Sequence, residues 1–222
     1  MAKKIYRLQG FTLAEVLITL GIIGIVAAMT IPSLINNSQD VQFRSAWKKT
    51  YSNLSQAHQK LVSDNGGTIK DLTANDANSN INALDYFLPY LSYRKRCVLA
   101  QVDGCWHANN QFYFLNSTPY SIGGNSTAGA ILNDGTLIFY RYSPTCATVC
   151  GYMFVDTNGF KSPNKIGKDI HFIYLLPDRL IPRGVEDDPS GAGNIYTKCN
   201  LDTGVNDSDN YGYGCSVKYL SN

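Results

Sequence analysis

The chain has 222 residues, of which 44% are hydrophobic and only 16% are charged, and its formal net charge is +2. This composition excludes a disordered chain built from solvated charge runs. The near balance of 19 basic and 17 acidic residues argues against a dedicated nucleic-acid-binding domain. The length suits one ordinary domain with an additional element.

The first predicted element is a long apolar run that follows a short basic segment. Lys3, Lys4 and Arg7 precede residues 11–31, a run whose one ionisable side chain is Glu15. As a helix, these 21 residues would be roughly 31 Å long, which is the thickness of the hydrocarbon core of a bilayer. The basic cluster predicts a cytoplasmic N-terminus, with the rest of the chain on the far side of the membrane.

The small residue that could mark a cleavage site, Gly10, stands before the apolar run. An ordinary secretory signal carries its small residues after a shorter apolar stretch, so that cleavage removes the stretch. Cleavage after Gly10 would instead leave the apolar helix at the new N-terminus, on a chain with 16 basic and 17 acidic residues and a net charge of −1. This order predicts a segment that is retained in a membrane.

The residues Gly10-Phe11-Thr12-Leu13, together with Glu15, resemble the class III signal of type IV pilins and of the related pseudopilins of type II secretion and DNA-uptake systems. The resemblance implies that a prepilin peptidase cuts after Gly10 and methylates the amino group of Phe11. It also implies that Glu15, the fifth residue after the cut, acts in assembly.

Two further positions match this family. Gly24 and Pro32 are the fourteenth and twenty-second residues after the cut, and pilins soften their first helix at both places. Pro32 lacks a backbone donor, which predicts a kink or a local extension. Gly24 and Ala28 form a small-xxx-small pair that would allow close helix contact.

The resemblance implies a structural subunit rather than an enzyme, namely a pilin or pseudopilin that polymerises through its N-terminal helix. Its partners would be copies of itself or other pilins, the prepilin peptidase, membrane lipid, and an inner-membrane assembly platform with a cytoplasmic ATPase. No cofactor and no nucleic acid is expected. The subunit would span the bacterial inner membrane once, with its head outside, before it enters a periplasmic or cell-surface filament. The alternative is a monomeric membrane-anchored binding protein or enzyme whose helix is only a tether.

Glu15 has a physical reason to seek a partner. A carboxylate in an apolar helix costs about 2.5–3.5 kcal/mol on membrane insertion scales. The α-amino group of a processed chain, its own or that of a neighbouring subunit, would convert the isolated charge into an ion pair and select a register for assembly. The alternative is a glutamate near the membrane edge that reaches water.

After Pro32 the pattern becomes that of an amphipathic helix. An apolar stripe recurs at steps of three, four or seven residues and comprises Phe43, Trp47, Tyr51, Leu54, Leu61 and Val62. It predicts one helix from about Thr12 to Ser63, whose second half is buried against the rest of the chain. His58 beside the stripe is predicted to be half-buried rather than a ligand. The predicted organisation is a leader (1–10), a membrane or filament-core helix (11–31), an amphipathic continuation (32–65) and a head (66–222).

The head alternates loops with short β runs. Residues 66–82 indicate a surface loop, and residues 82–92 a short helix broken near Pro89. Arg94-Lys95-Arg96 is interpreted as a solvated turn. The predicted β runs are 111–115, 128–132, 136–142, 151–156, 170–176 and 180–181, with a hairpin turn at 133–135. The predicted fold class is α+β, a long N-terminal helix packed on an antiparallel β-sheet head, which agrees with the pilin resemblance.

The six cysteines all follow the apolar segment, on the side where oxidation is expected, so disulfides are favoured. They are Cys97, Cys105, Cys146, Cys150, Cys199 and Cys215. Six cysteines allow 15 pairings; sequential pairing is the simplest because each bond closes a short loop. A zinc site built on the Cys146-x3-Cys150 spacing with Cys97, Cys105 or His107 is the less favoured alternative.

No catalytic motif is present, because the sequence has no G-x-S-x-G, no H-E-x-x-H and no phosphate-binding glycine loop. Asp156, Asn158 and Asp169 could offer oxygen ligands to Ca²⁺, but turns that close a β connection explain the segment better. A second acidic patch, Asp202, Asp207 and Asp209, fails the EF-hand pattern because Tyr211 stands where an oxygen ligand is needed.

Overall fold

The computed structural model describes residues 11–122, 127–185, 188–189, 199 and 211–221. The chain divides into two compact units, Met1–Val41 and Gln42–Asn222. The leader 1–10, Gly10 included, and the acidic patch at 202–209 lie outside the described residues. From here on, the head means the unit of residues 42–222. It adds the second part of the first helix to the head of residues 66–222 that the sequence predicts.

One helix, α1, begins at Leu13 and ends at Asp64, and it continues through Pro32. The predicted helix from Thr12 to Ser63 is therefore confirmed, with both ends shifted by one residue. Within the head, the apolar stripe of α1 is buried: Trp47, Leu54 and Leu61 are 0–1% exposed.

The head contains a six-stranded antiparallel sheet with the strand order β1-β4-β5-β6-β7-β8. A separate two-stranded sheet pairs β2 with β3. The strands are β1 (Tyr93–Cys97), β2 (Phe112–Tyr113), β3 (Pro119–Tyr120), β4 (Ala128–Leu132), β5 (Leu137–Tyr142), β6 (Gly151–Asp156), β7 (Ile170–Leu175) and β8 (Leu180–Pro182). The other helices are α2 (Ser79–Phe87), a 3-10 turn (Leu88–Tyr90) and α3 (Cys215–Ser221).

The predicted hairpin is confirmed between β4 and β5. The N–H of Leu132 donates to the carbonyl of Thr136 at 2.9 Å, and the N–H of Gly135 donates to the carbonyl of Leu132 at 3.0 Å. Gly135 has φ of +94°, a conformation that glycine adopts at little cost.

The two faces of the sheet bury two different cores, since side chains alternate along each strand. The inner core joins sheet residues such as Tyr140 and Met153 to α1 and α2. The outer core joins Phe139 and Phe154 to Trp106 and to other aromatic residues. Sheet strands buried on both faces explain why the strand segments of β4, β5 and β7 are almost continuously apolar.

Several details differ from the sequence expectations. Strand β3 was not predicted, and the predicted run 111–115 is limited to β2. Arg94-Lys95-Arg96 is not a turn but most of the edge strand β1, where exposed charges protect an open edge. His58 is fully buried rather than half-buried. The C-terminal helix α3 was not predicted, since its seven residues are too few for a clear helical period.

Helix α3 lies against α1 and β7. The indole Nε1 of Trp47 donates to the carbonyl of Ser216 at 2.8 Å, and the Trp47 ring stacks on His171 with ring centroids 4.1 Å apart. The hydroxyl of Ser216 accepts the N–H of Phe172 in β7 at 3.3 Å. These contacts tie the two helices to one edge of the inner core.

Candidate functional site in the N-terminal segment

The start of α1 is capped by a reciprocal pair of side chains. The Thr12 hydroxyl accepts the N–H of Glu15 at 3.2 Å, and the Glu15 carboxylate accepts both the N–H of Thr12 at 2.9 Å and its hydroxyl at 2.7 Å. This is a capping box, which satisfies two of the backbone donors that a helix start leaves without partners. The Glu15 carboxylate is thus held at Thr12, the residue that follows Phe11.

Phe11 is the first described residue, and its side chain is 89% exposed. Because the Glu15 carboxylate binds the amide of Thr12, it is positioned near the atom that would become an α-amino group if the chain were cut before Phe11. The geometry therefore brings the candidate assembly residue and the candidate processing residue to the same helix end.

The apolar side chains that follow are exposed in this unit. From Leu13 to Ile35 the large apolar residues are between 41% (Val16) and 80% (Leu13) exposed. The helix is long and apolar enough to cross a membrane, with a mean hydropathy of 2.2 over its most apolar 18 residues. The two polar side chains Thr19 and Thr30 donate to backbone carbonyls of the preceding turn, at 2.9 Å to Glu15 and to Val26, so their hydroxyls do not require water.

Gly24 lies on an open part of the helix surface. A Cβ atom added there would meet no described residue within 4 Å, and the same holds at Gly21. Contacts among the described residues therefore do not require glycine at either position. The kink expected at Pro32 and the close helix contact at Gly24 and Ala28 stay predictions.

The six cysteines are joined as Cys97–Cys105, Cys146–Cys150 and Cys199–Cys215. This is the sequential pairing, the simplest of the fifteen that the sequence allows. Sulfur atoms held in disulfides are not the thiolates that zinc binds. The zinc alternative also fails at His107, whose Nε2 shares a hydrogen bond with Asp156.

Asp156, Asn158 and Asp169 lie together at the ends of β6 and β7. Asp156 Oδ1 accepts the N–H of Asn158 at 3.0 Å, and the two carboxylate oxygens of Asp169 accept the N–H groups of Lys165 and Asn164 at 2.7 and 2.8 Å. Both carboxyl groups are 0% exposed. The side chains of the three calcium candidates close turns of the protein backbone, as the turn interpretation predicts.

All three histidines are buried in the head. Burial lowers the pKa of His58 to about 4, that of His107 to about 4 and that of His171 to about 3. A neutral buried imidazole packs as an aromatic ring, and His171 does so against Trp47. Their placement in three different packing contacts brings no two of them into one site.

Sequence reasoning missed the role of Thr12. The spacing Thr12-x-x-Glu15 before an apolar run is the signature of a capping box and could have revealed it. The contact between His107 and Asp156 had no comparable signal, because 49 residues separate the two partners.

A family model described as the prokaryotic N-terminal methylation motif matches residues 7–31. This motif is the signal of type IV pilins and pseudopilins, so the resemblance seen in the sequence is confirmed. Neither the curated proteins nor the solved structures gave a match to the chain. The motif and the long apolar helix together support a membrane-anchored, type IV pilin-like or pseudopilin precursor with a pilin-like α+β fold.

Proposed function

We propose that this chain is a structural subunit of a type IV filament or a type II secretion pseudopilus. In this proposal it is cleaved after Gly10, methylated at the amino group of Phe11, and polymerised through α1. The observation that carries the proposal is the pairing of a methylation motif with an apolar helix whose large side chains, from Leu13 to Ile35, are 41–80% exposed among the described residues.

The exposed apolar surface of α1 would be buried first by lipid and later by neighbouring subunits. The basic residues before Gly10 favour a cytoplasmic N-terminus with the head outside. When the subunit leaves the membrane, neighbouring copies would replace lipid around the apolar helix. This contact is favourable because it keeps the apolar surface out of water. The open helix surface at Gly24 and Ala28 would allow another helix to approach closely.

Glu15 would set the register of this assembly. The capping box holds its carboxylate at the N–H of Thr12, the residue after Phe11, so an axial stagger of neighbouring helices could pair it with the amine of another subunit. Such a pair replaces an isolated charge in an apolar surrounding with a hydrogen-bonded ion pair.

A structural role agrees with the placement of the chain's histidines, which are all buried in the head. The partners in this proposal are other pilin subunits, a prepilin peptidase, and an inner-membrane platform powered by an ATPase. The competing function is a monomeric membrane-anchored binding protein or enzyme, for which α1 is a tether.

The decisive variants separate the charge of Glu15 from its capping role. Glu15→Gln keeps an oxygen that can accept the N–H of Thr12 but loses the charge, whereas Glu15→Val loses both. Thr19→Val is the matched control, since it removes a polar group from the same segment. We expect all three variants to insert into membranes, and only the two Glu15 variants to lose sheared high-mass filaments.

Normal filament yield from Glu15→Gln would show that the charge has no role in assembly. A native chain that retains residues 1–10 and gives no high-mass filaments would instead favour the tether.

A further inference from the structure

The head contains a groove between α1 and the turn of the β4–β5 hairpin. Asn53, Gln56 and Lys60 line it from one face of the helix, since positions three and four residues apart lie side by side on a helix. Asn133 lines it from the hairpin, and Ser92 lines it from the segment that leads into β1. Its volume is about 300 Å³, at the lower end of the range for small-molecule sites. We call this cavity the hairpin groove.

Polar side chains on both walls of the hairpin groove are available to a ligand. Four of them form no hydrogen bond with any other described residue, namely those of Asn53, Lys60, Ser92 and Asn133. A side-chain amide carries donors and an acceptor next to each other, so each asparagine can bind two neighbouring hydroxyl groups at once. The Ser92 hydroxyl can donate or accept. These groups suit a ligand that offers several hydroxyl groups.

The more buried lining of the hairpin groove is apolar. Ala57 and Leu132 are 2% and 7% exposed, and Tyr90 and Leu91 are partly buried. A sugar ring has C–H groups on its faces and hydroxyl groups at its edge. An apolar lining between polar walls therefore matches both parts of such a ring, and an aromatic side chain adds a flat apolar surface.

The charges around the hairpin groove balance one another. Asp134 Oδ2 lies 3.7 Å from the ammonium of Lys49. Lys60 is followed one helical turn later by Asp64, whose carboxylate accepts the hydroxyl of Tyr90. Phosphate needs an excess of positive groups, and a metal cation needs an excess of carboxylate and carbonyl oxygens. The balance therefore favours an uncharged ligand.

The main chain of both walls is already hydrogen-bonded. On the hairpin, the N–H of Asn133 donates to the carbonyl of Ser92 at 3.0 Å, and the N–H of Thr136 donates to Asp134 Oδ1 at 3.1 Å. On the other wall, the backbone groups in the middle of α1 bind one another. An extended peptide that pairs through main-chain groups is therefore a poorer fit than a ligand that side chains alone recognise.

We propose that the hairpin groove binds a neutral sugar unit of a glycan. Asn53 and Asn133 hold hydroxyl groups at the edge of the ring from the two walls, and the apolar lining meets its C–H face. From Asn53 to Lys60 the helix is about 10 Å long, which leaves room for one or two sugar rings. All groove residues belong to the head, so this binding does not depend on cleavage or polymerisation of the chain.

Nuclear magnetic resonance of the ¹⁵N-labelled full chain in dodecylphosphocholine micelles tests this site. The detergent has no sugar headgroup that could occupy the groove. The ligands are the methyl glycosides of glucose, galactose and mannose, with cellotetraose to distinguish the interior of a sugar chain from a terminal unit. We expect at least one to shift the side-chain amide signals of Asn53 and Asn133 saturably, with a dissociation constant of about 1 mM, as its small size dictates. The side-chain amide of Asn158, which donates to the carbonyl of Ser162 after β6, should not shift.

Three variants at exposed positions of α1 complete the test. Asn53→Ala removes an amide from the groove and should weaken sugar binding about tenfold. Gln59→Ala is the matched control, because it removes an exposed amide from another face of the same helix, and it should change the affinity by less than about twofold. Lys60→Gln keeps a donor but removes the charge, and it should also stay within about twofold, since the ligand is uncharged.

Three results would overturn the proposal. The first is that no sugar shifts the signals of Asn53 and Asn133 saturably up to about 100 mM, a hundredfold above the expected dissociation constant. The second is that Asn53→Ala and Gln59→Ala weaken binding equally. The third is that inorganic phosphate, or cyclohexanol, a ring without the hydroxyl pattern of a sugar, binds as tightly as the best glycoside.

Discussion

The two units of this protein differ in how far their large apolar side chains are buried. In the described part of Met1–Val41, the large apolar side chains are exposed, whereas in the head Trp47, Leu54 and Leu61 of the same helix are 0–1% exposed. The head satisfies its apolar surface within one chain, so its stability is a property of the monomer. The N-terminal unit does not, so its stable state depends on lipid or on other subunits. The contrast separates the apolar surface that this chain buries by itself from the apolar surface that lipid or the proposed assembly would have to cover.

The sharpest way to test this contrast is one substitution made in both units. Leu54→Ala removes a 0% exposed side chain from the inner core and should lower the free energy of unfolding by about 2–5 kcal/mol. Leu20→Ala removes a 60% exposed side chain and should change that quantity by less than about 0.5 kcal/mol, yet weaken filaments. Denaturant unfolding followed by near-UV circular dichroism measures the first effect, and shearing yield measures the second. Equal losses of unfolding free energy from Leu54→Ala and Leu20→Ala would contradict the difference between the two units.

The head should also be sensitive to acid through His58. Burial lowers the pKa of His58 to about 4, below its ordinary value of 6.5, so the folded state binds fewer protons than the unfolded chain in this interval. The stability that a neutral His58 contributes is therefore complete above pH 6.5 and lost as the pH falls to about 4. Over that range the unsubstituted head should lose up to about 3 kcal/mol more than His58→Leu. Parallel pH profiles of the unfolding free energy for the two proteins would contradict this expectation.

Backbone crowding in the head gives a smaller effect. Gly212 has φ of +84°, and a Cβ added there would lie 2.2 Å from the carbonyl oxygen of Ile166. Gly212→Ala should cost about 2 kcal/mol or more of unfolding free energy, since it adds a clash to the conformational penalty. Gly135→Ala is the control, because its φ is also positive but the space around it is open, and it should cost about 1 kcal/mol. Equal costs at the two positions would remove the crowding argument.

The smallest effect is expected at the surface of the head. Arg96 donates to both carboxylate oxygens of Asp85 at 2.5 and 2.7 Å, but both side chains are more than a third exposed. Arg96→Ala should therefore cost at most about 1 kcal/mol of unfolding free energy, and less at high salt. Arg94→Ala, at a neighbouring exposed position on β1, should be close to neutral. A loss above about 2 kcal/mol from Arg96→Ala would contradict the small contribution that we expect from an exposed ion pair.

Much of the fold could be predicted from the sequence, because it rests on local signals. The period of the apolar stripe around Trp47 located α1, and Asn133-Asp134-Gly135 located the hairpin. The edge strand β1 escaped prediction because its exposed residues carry charges instead of an apolar alternation. In such a strand, pairing with β4 rather than side-chain burial decides the structure.

The residues of interest also divide into those that a local motif identifies and those that only the fold brings together. Gly10, Phe11 and Glu15 stand in a short motif, so their suggested roles could be stated from the sequence. The proximity of His107, Asp156 and Asp169 could not be predicted, since these residues come from three segments that meet only after the sheet forms. The turn interpretation of Asp156 and Asp169 agrees with their backbone N–H partners, but it could not foresee the imidazole of His107 beside Asp156.

The intact mass and N-terminal sequence of the protein recovered from sheared cells test the central claim most directly. The account predicts a chain that begins at Phe11, carries one added methyl group on its amino terminus, and is found in high-mass filaments. A chain that still begins at Met1, or one that lacks the apolar segment altogether, would contradict it.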